Sequence, residues 1–413
     1  MNPKLTITCI ALAASLALGV TAAIAGTARG AADPGVTANS ILLGGTAPLT
    51  GPASAYSSIA RGAEAYFKYV NGQGGVLGRK ITYKYVDDAY NPAESVKVTR
   101  QLVEQDKVFA VFNSLGTERN LSVREYLNAE KVPQLFVASG TTTRGRDDAQ
   151  YPYTIELQPS YQAEGWVYGK YLARTAPGAR VAVLFQNDDY GKDLLGGFRR
   201  GLKRSNVKVI AAQPYEHTAS DVQSQIAKLK ASGAGTLAIF ATPKVAIQAF
   251  VFANKLGWKP KRVINNAVAS AASIMQLASE GGTNKLTDNA VSIAFLKDPT
   301  DVQRRSDPAI KLYLQIMKRY LPGANANDVF HVYGMAVAWT AVDVLTRAGK
   351  DLTRASLTKV LDTFNATGNP FLLPGIALKI AGKDHYPIEQ MLLQRWQNGS
   401  WKSFGGLWGY RAP

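Results

Sequence analysis

The sequence predicts an α/β protein of two lobes, each a mainly parallel sheet flanked by helices. Short apolar runs alternate with helical patterns from about residue 40, the same alternation restarts at Arg180, and extended segments link the halves at three points. Candidate strands of the first half are 41–47, 81–87, 108–112 and 134–138. Between the first two, Ile59, Ala63, Tyr66, Phe67 and Val70 repeat at the spacing of one buried helix face. The next helix opens at Asn91-Pro92-Ala93-Glu94, where Asn caps, Pro suits the first helical position and Glu completes a capping box.

Strands of the second half are expected near 180–185, 207–212, 236–241 and 262–265. Tyr161, Gly165, Tyr168 and Leu172 face one way on the helix before them, as do Leu194, Phe198 and Leu202 on the helix after the first. The extended piece 153–160, with Pro159, suits a hinge. A second, 289–297, leads to helices 308–320 and 328–348, and a third crossing falls near 365–375. The tail pairs 388–397 with 401–404 across Asn398-Gly399, a strong hairpin turn. The expected division is a leader 1–32, a first lobe 33–156 plus 290–365, and a second lobe 157–289 plus 366–413.

The leader is read as a secretory signal, with Lys4 before the apolar stretch 7–20 and small residues that allow cleavage after Ala25 or Ala32. Thr8, Ser15, Gly19 and Thr21 interrupt the stretch, which falls short of the roughly 18 apolar residues of a membrane span. Cys9 follows Thr6-Ile7-Thr8 and not the small-residue box of a lipidated cysteine. Cleavage after Ala32 removes Lys4, Arg29 and this only cysteine, lowering the charge from +17 to +15 and leaving no thiol for a disulfide. The basic residues are scattered without a long run, so a solvated positive surface, steering of an anionic ligand or contact with acidic lipids is expected, and no nucleic-acid partner.

Ligands of open parallel sheets bind at the carboxyl ends of the strands, here the loops 48–57, 113–117 and 139–143 in the first lobe and 187–191, 242–243 and 266–270 in the second. Asn113-Ser114-Leu115-Gly116-Thr117 ends a strand and opens a helix, and Ser139-Gly140-Thr141-Thr142-Thr143 repeats the arrangement one strand later. Side by side they form a carboxylate cradle of hydroxyls and backbone N–H groups, or the hydroxyls only cap their own helices. Tyr56, Tyr161 and Tyr190 are candidate walls, with Tyr161 also spaced as a core residue.

Enzyme signatures are scarce, and no catalytic residue, cofactor or metal is expected. His217, His331 and His385 lack metal-ligand spacing. There is no G-x-S-x-G elbow, and Gly191-Lys192 lacks the upstream glycine of a phosphate loop. The glycine-rich 72–78 follows a helix rather than a strand. Asp87-Asp88 and Asp188-Asp189 stand beside turns, where Asp stabilises the turn.

Four segments in this order carry a resemblance: ILLGGTAPLTGP (41–52), Gly74-Gly75-Val76-Leu77-Gly78-Arg79-Lys80-Ile81, Val86-Asp87-Asp88, and Asn187-Asp188-Asp189-Tyr190-Gly191-Lys192. They resemble the branched-chain amino acid type of ABC-transporter substrate-binding proteins over nearly the whole chain beyond the leader. The resemblance implies a type I periplasmic-binding fold with three hinge strands, export, a monomer, a small carboxylate ligand, and permease subunits as partners. It places the ligand carboxylate at Ser114 to Thr117, with Asn113 leading in, and at Ala138, Ser139, Gly140 and Thr141, with Tyr56 and Tyr190 as aromatic contacts. Thr242 and Asn265-Asn266-Ala267 complete the second lobe. Amino-acid binders of this type carry an acid after the fourth strand of the second lobe, and Asn265-Asn266-Ala267-Val268-Ala269-Ser270 contains none. A buried ammonium without an anion is costly, so the resemblance points to an aromatic acid such as a hydroxycinnamate or benzoate, or to an amino acid served by an acid from another loop, Glu118 or Asp189. A sensing receptor of the same fold stands as the alternative to transport.

Overall fold

Apolar runs with no polar alternation form strands buried on both faces, as parallel sheets require. The computed structural model describes residues 33–142, 149–380 and 384–410. The leader with its cleavage sites, Cys9 and Thr143 lie outside them. The first sheet holds β1 (Ser40–Ala47), β2 (Lys80–Asp87), β3 (Ala110–Phe112), β4 (Gln134–Val137) and β5 (Thr154–Glu156) in the order β2-β1-β3-β4-β5, every pair parallel. Its helices are α1 (Ser57–Gly72), α2 (Pro92–Arg100) and α3 (Thr117–Ala129).

The second sheet is built from β6 (Arg180–Gln186), β7 (Lys208–Tyr215), β8 (Thr236–Phe240), β9 (Arg262–Asn265) and β10 (Val291–Ala294), in parallel. Helices α4 (Tyr161–Thr175), α5 (Asp189–Leu202), α6 (Gln223–Ala231), α7 (Pro243–Lys255) and α8 (Ala272–Ala278) accompany it. Helices α9 (Pro308–Tyr320), α10 (Val329–Ala348) and α11 (Arg354–Leu361) follow, then the short pair β11 (Asn365–Ala366) and β12 (Leu378–Lys379). The tail strands β13 (Gln390–Gln397) and β14 (Ser400–Gly409) extend the second sheet in antiparallel fashion, giving the order β14-β13-β10-β9-β8-β6-β7. Their turn holds Asn398 at φ 53° and Gly399 at φ 74°, the left-handed pair that the Asn-Gly signal requires.

The extended piece at 153–160 supplies β5 to the first sheet and ends where Ser160 caps α4. Two expectations are corrected. Strand β10 pairs with β9 and β13, so 291–294 stands with the second sheet rather than with the first lobe from residue 290. Asn91 caps α2 by accepting from Ala93 and Glu94 N–H, but Glu94 pairs with Lys97 at 2.8 Å instead of closing a box.

Two helix pairs approach through glycine. A Cβ on Gly62 of α1 would lie 2.4 Å from the His331 carbonyl oxygen, and one on Gly334 of α10 would lie 2.1 Å from that of Ile59. α10 is long and apolar enough to cross a membrane, yet 72% of its apolar window is buried, the mark of a core helix. In the second lobe, a Cβ on Gly165 of α4 would meet the Leu194 carbonyl at 2.2 Å, and one on Gly197 of α5 would meet that of Gln162 at 2.2 Å. Backbone rests on backbone, so neither partner can move aside.

Gly197→Ala therefore overpacks the α4–α5 contact and is expected to cost about 1–3 kcal/mol or more. Gly196→Ala, one residue away on the exposed face with no atom within 4 Å of its Cβ, is expected to stabilise by about 1 kcal/mol through helix propensity. Denaturant melts of the two variants check the contrast in sign.

Candidate functional site

The strands of both sheets end at one cavity lined from both lobes. Tyr56 reaches it from the loop after β1 and Tyr90 from the turn after β2. Leu115, Gly116 and Thr117 come from the loop after β3, and Ala138 from the end of β4. The second sheet contributes Tyr190 after β6, Thr242 after β8, and Ala267 and Val268 after β9. Tyr161 and Glu164 enter from the first turn of α4, and Phe295, Phe330 and Tyr333 close the side toward α10.

Its first-lobe pole is electropositive. Gly116 caps α3 at φ 105° and no side chain caps that helix end, so the first-turn N–H groups carry the positive end of the helix dipole. Thr117 stands there with its hydroxyl 2.8 Å from that of Ser139. Beneath lies Arg119, 2% exposed, its guanidinium carbon 3.1 Å from the centroid of the Tyr90 ring. Nη1 donates to the Tyr90 carbonyl at 3.0 Å, while Nε and Nη2 have no hydrogen-bond partner among the described residues. A Cβ on residue 116 would sit 2.1 Å from Nε, so the buried guanidinium itself demands glycine there.

Across the cavity the pole is acidic. Glu164 is 3% exposed, and its Oε1 accepts from the Ala267 N–H at 2.7 Å and from the Tyr168 hydroxyl at 2.8 Å. Burial pushes its carboxyl up to about 7, the two hydrogen bonds offsetting only part of that rise. Aromatic rings fill the space between: Tyr161 meets Tyr190 edge-on at 4.8 Å, and Tyr56 meets Phe330 at 5.1 Å. The Tyr56 hydroxyl crosses the cleft to donate to the Val268 carbonyl at 3.0 Å.

Of the residues proposed from sequence, Tyr56, Leu115, Gly116, Thr117, Ala138, Tyr190, Thr242 and Ala267 line the cavity. The rest are not in its wall, and most of their polar groups bond to the scaffold. Ser114 Oγ accepts from the Thr46 N–H, Asn113 Nδ2 donates to the Phe136 carbonyl, and the Gly140 carbonyl accepts from the Tyr161 N–H. Thr141 donates to Asp193, and Ser139 stands one step behind Thr117. Asn265 donates to the Ala269 carbonyl, and Asn266 Nδ2 to the Tyr190 hydroxyl at 2.6 Å, orienting that ring. Of the four hydroxyl residues Ser114, Thr117, Ser139 and Thr141, Thr117 is the one in the cavity wall, beside an uncapped helix end.

Glu118 and Asp189, the suggested substitute acids, are not in the cavity wall; Glu118 Oε1 accepts the Asp189 N–H at 3.1 Å, tying the first lobe to the start of α5. The acid pairs fix turns: Asp87 accepts from Leu49 and Thr50 N–H, Asp88 from Tyr90 N–H, and Asp188 from Gly191 N–H. Sequence reasoning missed Glu164, although an acid flanked at helical spacing by Tyr161 and Tyr168 on a buried face was the signal for it. It also missed Tyr90, Phe295, Phe330 and Tyr333, which nothing local separates from core.

A family model described as periplasmic binding protein matches residues 40–400. An amino acid binding protein of Pseudomonas aeruginosa is 27% identical over 195 residues, 47% of this chain and 52% of that protein, so this match spans about half its length. Leu/Ile/Val-binding protein homolog 7 of Brucella abortus is 21% identical over 391 residues, 93% of this chain and 94% of that protein. Among solved structures, the fatty acid ABC transporter substrate-binding protein from Thermomonospora curvata superposes with a TM-score of 0.79 at 21% identity, covering 92% of this chain and 95% of that one. A branched chain amino acid ABC transporter protein from Thermus thermophilus with bound valine gives 0.78 at 18%, covering 90% and 97%. The likeness to these solved structures is one of fold: two lobes of parallel sheet flanked by helices.

Because the folded state holds the Glu164 proton up to about 7 and the unfolded chain releases it near the ordinary 4.5 of a glutamate, burying this acid costs stability that grows across that interval, on the order of 3 kcal/mol at its full extent. Glu164→Gln, without ligand, is expected to raise the melting temperature at pH 8 and to leave it nearly unchanged at pH 4.5. Thermal melts at the two pH values check this.

Proposed function

The chain belongs to the periplasmic binding protein family, and we propose that it is the exported, monomeric solute-capturing component of an ABC importer, taking one small carboxylate with an apolar body between its lobes. The observation that carries this reading is an aromatic-walled cavity, shared by both lobes, with an uncapped helix N-terminus at Gly116-Thr117 and the buried Arg119 charge behind it. A ligand carboxylate there accepts from the first-turn N–H groups of α3 and from the Thr117 hydroxyl. Its apolar body packs on Tyr56, Tyr161 and Tyr190. The solved relatives named for a fatty acid and for bound valine support the class, since both ligands pair a carboxylate with an aliphatic body.

Closure follows from polar contacts that exist only when the lobes meet. Tyr56 donates to Val268, Glu118 accepts from Asp189, and Asp193 accepts from the Thr142 N–H. A ligand touching both walls adds contacts to the closed form alone and shifts the balance toward it. The closed form is what the permease subunits recognise. The leader is cleaved after Ala25 or Ala32 on the way out of the cytoplasm.

A thermal-shift panel of small acids and amino acids, with solution scattering of the hits, tests the reading. Ligands are expected to raise the melting temperature and reduce the radius; a panel that does neither sinks it. Thr117→Val is expected to weaken binding about tenfold through the lost hydroxyl. Tyr56→Phe is expected to weaken it about threefold to tenfold, mainly by faster release in stopped-flow measurements.

A further inference from the structure

Among the described lining residues, Glu164 is the one carboxylate and no basic side chain accompanies it; the other ionisable groups of the wall are the phenols of Tyr56, Tyr90, Tyr161, Tyr190 and Tyr333. The groups that face it are accounted for element by element. On α4 these are Tyr161 and Tyr168, and on α5 Tyr190. The end of β9 and the segment after it offer the Asn265 carbonyl through Tyr168, the Asn266 amide through Tyr190 and the Ala267 N–H, and β10 offers the Ser292 hydroxyl through Tyr168. Arg119 lies under Tyr90, where its charge acts on Asp88 and Asp188. Both hydrogen bonds to Glu164 fall on Oε1, which leaves Oε2 for what enters the cavity.

We infer that Glu164 makes ligand capture proton-coupled: a monocarboxylate without an ammonium group enters the closed cavity together with one proton, which settles on Glu164. The inference rests on the carboxylate reading above and deepens it. Two carboxylates enclosed in one cavity without a basic side chain cannot both stay ionised cheaply, so one takes a proton. The ligand carboxylate keeps its charge, held by the first-turn N–H groups of α3 and the Thr117 hydroxyl. Glu164 takes the proton, since burial in the closed cavity pushes its carboxyl up to about 7. The step is the formation of one O–H bond at Oε2 with a proton from solvent, and no other bond changes. Protonated, Oε2 becomes a donor for the ligand, while Oε1 keeps the Ala267 and Tyr168 bonds. A ligand ammonium would act oppositely, holding Glu164 ionised, releasing its proton and tightening as pH rises.

Isothermal titration of the protein with 3-phenylpropanoate and octanoate at pH 6.5 and 8.5, each in two buffers of different ionisation enthalpy, tests this. Both probes stay ionised throughout. The bound state holds more protons than the free state, so affinity must fall as pH rises; from pH 6.5 to 8.5 the expected loss is about tenfold, with net proton uptake in the buffer comparison. Glu164→Gln, carrying a neutral amide that still accepts from Ala267, is expected to lose this slope and to bind more tightly than the unmodified protein at pH 8.5, a gain that mere damage to the fold cannot produce. L-Phenylalanine, which differs from 3-phenylpropanoate by its ammonium group, is expected to bind more weakly. Proton release, a flat pH profile, a slope retained in Glu164→Gln, or tighter binding of L-phenylalanine would each overturn the inference while leaving carboxylate capture standing. Failure of both probes to bind at either pH overturns the carboxylate reading and this inference with it.

Discussion

The contact on which the binding cavity most depends is the backbone-to-backbone packing of α4 on α5. Gly165 and Gly197 each admit a carbonyl of the other helix, and a methyl group at either would lie far inside contact distance of a carbonyl oxygen. Because no side chain intervenes, the two helices share one rigid frame. Their first turns both open at the cleft, so the frame fixes Tyr161 and Glu164 of one helix against Tyr190 and Asp193 of the other. The edge-on contact of Tyr161 with Tyr190 at 4.8 Å and the reach of Asp193 to Thr141 and Thr142 follow from that placement.

The same frame gives the second lobe its polarity. Tyr168, one turn below Glu164, donates to it at 2.8 Å and accepts from the Ile293 N–H at 3.2 Å, so a single phenol ties α4 to β10. Ser270 joins this network by donating to Ser292 at 2.7 Å. Opposite, the first lobe supplies positive potential without offering a basic side chain to the cavity: a helix end faces it and Arg119 is screened by the Tyr90 ring. The cavity is electrically asymmetric although its wall is chiefly apolar and aromatic.

Much of this was legible in the sequence. Strand positions, the α4 and α5 faces, the Asn-Gly turn and the strand-end loops follow from periodicity and turn chemistry, which act over a few residues. Half of the candidate site was legible for the same reason, since loops after parallel strands must face the ligand side. What sequence could not settle is how each polar side chain is used. Ser114 and Thr117 look alike in one loop, yet a neighbouring strand's N–H at Thr46 claims the first and leaves the second at the cavity. Asn265 and Asn266 occupy the place expected of an acid, and their amides hold the fold of that segment. The acid arrives from a helix about a hundred positions earlier in the chain, a distance that no local pattern spans.

That origin separates two kinds of evolutionary change. Glu164 is fixed through the main-chain N–H of residue 267, a group every amino acid except proline supplies. The side chains at Ala267 and Val268 are therefore at liberty to drift, recontouring the wall for a longer, bulkier or flatter guest while the charge-bearing residue stays in register. Were the acid carried on the loop itself, remodelling that loop would put charge and shape at risk in the same mutation. Here the two are inherited on different elements, so new ligand shapes are reachable by single steps that leave the cavity's electrostatics intact.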